Sequence, residues 1–163
     1  RKGFQYLIEV MKSLKEYDIE LWHLGSVHPE IKKFDYQQEN IVYKGSKSQN
    51  DLYNYYNQCD VFVLPSLEEG LAMVTLQAMA CGLPAICTPN TGIENVITSD
   101  GEEGFLIPIR DPLAIKEKVL QLYNDPSLKR KMGEAAHKKV SSGFTWDDYG
   151  RRYIEFLNKI QNA

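Results

Sequence analysis

The residues best placed for chemistry are two adjacent carboxylates, Glu68 and Glu69, followed by Gly70, in the stretch PSLEEGLAMVTLQAMACGLPAI from Pro65 to Ile86. They interrupt an otherwise apolar passage. DVFVLPS reads as a strand ended by Pro65, and Leu71 to Cys81 as a helix stopped by Gly82 and then Pro84. Residues that break a local pattern mark functional sites, because a packed core does not require them. A helix N-terminus presents unpaired N–H groups and the positive end of a dipole, so it can hold an anionic oxygen. Gly70 would let a ligand approach. Glu69 could equally complement the dipole of its own helix, an effect of up to about 1 kcal/mol, and the residues alone leave both readings open. Glu68 reads as a solvated neighbour. A glycoside hydrolase pair is disfavoured, because its carboxyl groups flank the bond at roughly 5 to 9.5 Å, whereas adjacent side chains diverge.

The elements that must position this loop follow from the apolar pattern. Phe4, Leu7, Ile8, Val10, Met11 and Leu14 share one face of a predicted helix from Phe4 to Tyr17. IELWHLG and NIVYKG read as strands closed by Gly25 and Gly45, separated by a polar loop or short helix from Ser26 to Glu39. SQNDLYNYYNQC opens another helix, PAICT is a strand, GIENVI a turn or short helix, and EGFLIP a last strand. Asp111–Pro112 and Asp125–Pro126 each place a capping aspartate before a proline at the first helical position, and TWDDYGRRYIEFLNKIQ supplies a final amphipathic helix over about 145–161. Short apolar strands alternating with helices predict an α/β, Rossmann-like fold, a parallel sheet with helices on both faces. Ligands of such sheets bind at the carboxyl ends of the strands, where 65–70 must lie.

The chain has 163 residues, the size of one domain, and 43% hydrophobic content, enough for one core. A formal net charge of −3 at pH 7 gives no overall basic excess and argues against a general nucleic-acid binder. The three cysteines, Cys59, Cys81 and Cys87, lie in apolar segments without metal-ligand spacing and read as buried free thiols. His23 reads as a satisfied core histidine, and His28 and His137 as solvated. Tyr43, Tyr53, Tyr55 and Tyr56 read as packing residues, with an aromatic near Gly45 also able to stack on a base. No apolar run approaches the roughly 18 residues of a membrane span. The abrupt opening RKGFQYLIEV reads as the start of a fragment.

PSLEEGLAMVTLQAMACGLPAICTPNTGIENVI closely resembles the signature segment of the C-terminal, nucleotide-sugar-binding domain of GT-B glycosyltransferases of family 4, glycosyl transferases group 1. The likeness continues in RKGFQYLIEVMKSL, IELWHLGS, IVYKGSKSQNDLYNYYNQCDVFVLPS and GEEGFLIPIRDPLAIKEKVLQLYNDPSLKRKMGEAA, covering nearly the whole chain in order. It implies the C-terminal half of GT-B with its first strand truncated. Residues 1–163 would then form one donor-binding domain whose last helix crosses back to a missing N-terminal domain.

The resemblance also implies roles. Glu69 would contact donor-sugar hydroxyls, and Lys2 the diphosphate, where its charge stabilises the departing nucleoside diphosphate. These two are the implied catalytic residues, with Glu69 not a covalent nucleophile. The backbone amides of Gly70, Leu71 and Ala72 would face sugar and diphosphate, with Ser66, Gly25, Ser26, Gly45 and Glu94 completing the donor-binding set. Gln77 stands where the family has a second glutamate gripping the ribose; its amide oxygen accepts a hydrogen bond but carries no charge. Ala72 replaces a motif glycine, which requires negative φ. The implied reaction moves a sugar from a nucleotide-sugar to an acceptor with retained configuration, in bacterial surface polysaccharide or lipopolysaccharide synthesis. It implies a glycan or lipid-linked acceptor met through the missing domain, no cofactor and no metal. Its setting is cytoplasmic, with room for peripheral association at the inner membrane face. The isolated piece would bind donor but transfer poorly. A nucleotide-sugar epimerase of GT-B architecture and a non-catalytic nucleotide-sugar-binding module are the alternatives.

Overall fold

The structure is a computed structural model that describes residues 1–98 and 100–161. In order, the elements are α1 (Phe4–Ser13), β1 (Leu21–Leu24), β2 (Ile41–Gly45), α2 (Leu52–Tyr56), β3 (Phe62–Leu64), α3 (Met73–Ala80), β4 (Ala85–Cys87), β5 (Gly104–Leu106), α4 (Pro112–Asn124), α5 (Pro126–Ser141) and α6 (Trp146–Gln161). Short 3-10 turns occupy Pro29–Lys33, Gln49–Asp51, Pro89–Thr91 and Ile93–Asn95. All the strand pairing is parallel, with Leu21 opposite Ile41, Phe62 opposite Ala85 and Ala85 opposite Gly104.

Strand β4 shows how the layers form. Side chains alternate across a strand, so Ile86 joins the core under α1 and α4, with Leu7, Met11, Ile115 and Leu122. Its neighbours Ala85 and Cys87 join the opposite core, with Met79, Ile93, Ala136 and Val140, under α3 and α5. The fold is therefore α/β and Rossmann-like, with helices on both faces. Asp111 and Asp125 cap α4 and α5 by accepting from the amides of Ala114 and Leu128, each at 2.9 Å. Among the described residues, no helix is long and apolar enough to cross a membrane.

Local bonds correct three predicted boundaries. Helix α1 stops at Ser13 rather than Tyr17, where the Ser13 hydroxyl donates back to the Val10 carbonyl (2.8 Å) and the Leu14 amide tightens onto the Met11 carbonyl (3.1 Å). Helix α3 begins at Met73 rather than Leu71, because the Ala72 amide bonds outward to Thr91 and the Met73 amide to the Leu71 carbonyl. Helix α2 is a short α-helix preceded by a 3-10 turn.

The single predicted sheet is divided among the described residues into two ladders, β1–β2 and β3–β4–β5. The first residues of the chain lie between them. The Arg1 carbonyl accepts from the Leu67 amide just beyond β3 (2.8 Å), and the Phe4 ring sits 4.3 Å from that of His23 in β1. With no strand pairing β1 to β3, both are only half-buried, whereas β4 is buried throughout.

Helices α3 and α5 approach each other through Gly133, where a Cβ would collide with the carbonyl oxygen of Gly82. Gly133→Ala gains up to about 1 kcal/mol of helix propensity. Overpacking against backbone typically costs about 1–3 kcal/mol, so net destabilisation is expected, read as a lower urea midpoint with unchanged slope.

Candidate functional site

Pro65 ends β3, and residues 66–72 turn the chain into α3. This loop is braced by the segment leaving β4. The Thr88 hydroxyl donates to the Ser66 carbonyl, and the Asn90 side-chain amide to the Leu67 carbonyl (3.0 Å). In return, the Glu69 amide donates to the Asn90 carbonyl (2.8 Å) and the Ala72 amide to the Thr91 carbonyl (3.1 Å). Sequence reasoning missed this brace, although the run CTPNTG after a strand is the kind of polar, proline-bearing stretch that marks a loop at the carboxyl edge. Ala72 has φ −75°, which meets the condition for alanine at that position. Its amide is already committed to Thr91 and is not free to face a ligand. Among the described residues, the amides of Gly70 and Leu71 have no hydrogen-bond partner, and both residues are exposed.

Glu69 is the electrostatic centre of the loop. Its carboxylate is 11% exposed and pairs with the Lys2 ammonium at 2.7 Å, the lysine being 59% exposed. Burial pushes its carboxyl upward, but Lys2, the Ser66 hydroxyl and Arg1 together hold it below the usual carboxylate range. It is therefore ionised at neutral pH. Glu68 is exposed, as expected of a solvated neighbour. Ser66 Oγ and Glu69 Oε1 are buried and have each other and Lys2 for neighbours, whereas the buried Gln77 Oε1 has no hydrogen-bond partner among the described residues. Buried polar atoms are ordinarily satisfied, so the Gln77 oxygen has acceptor capacity that a hydroxyl donor would fill.

Gln77 lies half-buried on α3. Gly25 and Gly45 close β1 and β2 side by side, the Gly25 amide donating to the Gly45 carbonyl (3.0 Å); Ser26, just beyond, is exposed. Glu94 is exposed in the 3-10 turn at Ile93–Asn95. The structure thus brings Lys2, Ser66 and Glu69 together and pairs Gly25 with Gly45.

Other candidates divide. His23 packs half-buried between Phe4 and Tyr43, its Nδ1 has no hydrogen-bond partner among the described residues, and burial lowers its pKa, so it is a packing histidine but not a satisfied one. His137 is exposed yet not merely solvated, because its Nδ1 lies 2.7 Å from the Ala80 carbonyl at the end of α3. His28 Nδ1 accepts from the Glu30 amide. Tyr56 is buried and Tyr43 donates to the Tyr36 carbonyl (2.6 Å), whereas Tyr53 is exposed. Tyr55 meets Trp22 edge-on. All three cysteines are free thiols, but only Cys87 is fully buried, and burial raises its thiol to about 12. A surface cavity of about 240 Å³, lined by Cys59, Asp60, Cys81 and Pro84, lies at the opposite ends of β3 and β4 from Glu69. Among the described residues, no group of three His, Cys, Asp or Glu side chains could hold a metal ion.

Residues 1–125 match the family described as glycosyl transferases group 1. The chain belongs to this family. It is 34% identical to the capsular polysaccharide biosynthesis glycosyltransferase CapM of Staphylococcus aureus, over 98% of the chain and 44% of that protein. It is 33% identical to the N-acetyl-alpha-D-glucosaminyl L-malate synthase of Bacillus anthracis, over 77% of the chain and 33% of that protein. The chain thus spans less than half the length of these curated relatives. Among solved structures, the C-terminal domain of a glycosyl transferase group 1 family protein of Francisella tularensis superposes with TM-score 0.78 at 25% identity, over 89% of the chain and 80% of that domain. Anabaena HepE, determined with UDP and glucose, superposes with TM-score 0.84 over 97% of the chain and 45% of HepE; at 16% identity this bears on fold alone. The family's C-terminal GT-B domain is the one represented here.

Two outcomes follow from the loop. Gly92 has φ 68°, and a Cβ there would lie 2.6 Å from the Gly70 carbonyl oxygen, so Gly92→Ala is expected to destabilise by about 1–3 kcal/mol in urea unfolding. Because the Glu69 pKa is depressed on folding, its contribution to stability is present above the ordinary carboxylate pKa and lost as pH falls through the lower folded value. The stability difference between the unaltered chain and Glu69→Gln should therefore shrink in acid and be constant near neutrality, as read by urea unfolding across pH.

Proposed function

We propose that this chain is the donor-binding half of a retaining glycosyltransferase that transfers a sugar from a nucleotide-sugar to a glycan or lipid-linked acceptor. The observation that carries the reading is Glu69, an ionised carboxylate with 11% exposure, paired at 2.7 Å with the exposed Lys2 and next to the exposed Gly70 and Leu71 of the same loop. Sugar hydroxyls donate hydrogen bonds that such a carboxylate accepts, and a diphosphate is an anion that an exposed lysine and free loop amides attract. The charge that develops on the departing diphosphate is met by Lys2 and by the Gly70 and Leu71 amides, where preorganised donors and charges are most effective. Under this reading the C1–oxygen bond to the diphosphate breaks while the acceptor hydroxyl attacks from the same face and passes its proton to the departing diphosphate oxygen. Gln77 receives the ribose through its unpartnered oxygen. The loops at Gly25–Ser26 and Gly45 face the base, and Glu94 borders the nucleotide.

The exposed aromatic face of α6, with Trp146, Tyr149 and Phe156, is read as the surface that meets the remainder of the enzyme. The likeness to CapM supports a role in surface polysaccharide synthesis. The chemistry is proposed to need no metal, with a cytoplasmic setting.

Calorimetric titration of the chain with UDP, GDP and ADP, with and without EDTA, tests the reading. Saturable binding of one nucleotide that survives EDTA is expected. Glu69→Ala should weaken the corresponding nucleotide-sugar by about tenfold or more, the loss of a charge-assisted hydrogen-bond pair. Absence of binding up to millimolar concentrations would overturn the reading, and binding abolished by EDTA would overturn its metal-independent part.

A further inference from the structure

The Lys2–Glu69 pair bears on how the site treats an intact donor and the nucleoside diphosphate left after transfer, a question that rests on the donor-site reading above. The two partners differ in freedom. Lys2 is 59% exposed on a flexible stem and can swing away, whereas the Glu69 carboxylate is 11% exposed and cannot rehydrate freely. Neither backbone can withdraw to relieve a loss of partner. The Arg1 carbonyl is bonded to the Leu67 amide (2.8 Å) and the Glu69 amide to the Asn90 carbonyl (2.8 Å). Arg1 and the Ser66 hydroxyl also stabilise the carboxylate, but only Lys2 forms an ion pair with it among the described residues.

We infer that Lys2 is a shared counter-ion, held by Glu69 in the empty site and drawn to the diphosphate when a ligand enters, so that Glu69 selects against free nucleoside diphosphate. An intact nucleotide-sugar replaces what Glu69 loses, because its sugar hydroxyls donate to the carboxylate as Lys2 moves. A nucleoside diphosphate offers no such donors. It also carries an additional negative charge on its terminal phosphate once the bond to C1 has broken. The partly buried carboxylate is then left without its cation, a loss that costs the most where solvent is excluded. The product is therefore held less tightly than the same diphosphate would be in a neutral loop, which favours its release.

The test is a double-mutant cycle on the chain with Glu69→Gln, Lys2→Met and both together, titrated calorimetrically with UDP, GDP, ADP and pyrophosphate. Glu69→Gln is expected to tighten the nucleoside diphosphate that the unaltered chain binds by about five- to tenfold, while Lys2→Met weakens it. In the double variant most of the Glu69→Gln gain should vanish. Unchanged or weaker binding by Glu69→Gln, with the unaltered chain still binding, overturns the inference and leaves the donor-site reading standing. A gain that persists without Lys2 reduces the effect to direct repulsion and also overturns it. No nucleotide binding by any of the proteins overturns both. Should Glu69→Gln fail to fold, the unaltered chain answers through carbon-13 titration of the Glu69 carboxyl, whose midpoint is expected to rise when the bound nucleotide is added; an unmoved midpoint overturns the exchange.

Discussion

The hydrogen bonds between residues 66–72 and 88–92 are the constraint on which the geometry of the candidate site depends. Four are present, two from side chains of the second segment and two from amides of the first. Each is worth about 1 kcal/mol net, while ordering one loop residue costs about 1–2 kcal/mol of backbone entropy, so the bonds alone cannot fix the loop. Burial supplies the remainder, because Pro65, Ser66, Ala72, Thr88 and Thr91 are all removed from solvent. The two ends of the loop are thus anchored in the core above β3 and β4, and only its crown, with Glu68, Gly70 and Leu71, faces outward.

Two partly hidden glutamates show how similar chemistry serves different ends. Glu103 pairs with Lys139 at 3.2 Å, and its oxygens also accept from the amide and hydroxyl of Thr98. Its side chain is 7% exposed, and its bonds tie the turn before β5 to α5. Glu69 is nearly as enclosed and has a lysine closer still, at 2.7 Å from its Oε1, but that lysine is 59% exposed where Lys139 is 30%. A carboxylate whose partners are enclosed with it is structural; one whose lysine partner stands largely in solvent can exchange that partner for a ligand. In a chain with net charge −3, that local lysine supplies what the sequence as a whole does not.

Much of the fold was legible in the sequence because it is encoded locally. The aspartate–proline openings of α4 and α5, the glycine stop after α3 and the apolar cores of the strands depend on residues within one or two turns of each other. The late start of α3 was not legible, because it follows from Thr91, nineteen residues after Ala72 in sequence, capturing the Ala72 amide. The same is true of His137, whose polar surroundings in sequence conceal the Ala80 carbonyl it meets. Division of the strands into two ladders was likewise beyond pattern reading, since hydrophobic period identifies strands but not their neighbours. For the site, the carboxylate and the helix mouth could be found from their break in pattern. The ion pair and the brace join segments distant in sequence and needed the folded chain.

Helix α6 stands apart from this cooperative core. It buries none of its residues, and its start is held by its own neighbourhood: Asp148 accepts from the Gly143 and Thr145 amides and the Thr145 hydroxyl, while Arg152 donates to the Gly143 carbonyl (2.6 Å). A helix of 16 residues held mainly by local bonds is marginal in water. Its amide hydrogens should exchange through local opening at low free energy, far below that needed to open β4. Ellipticity lost from α6 would then precede loss of core packing on heating, and a single melting temperature would describe the body of the molecule but not its final helix.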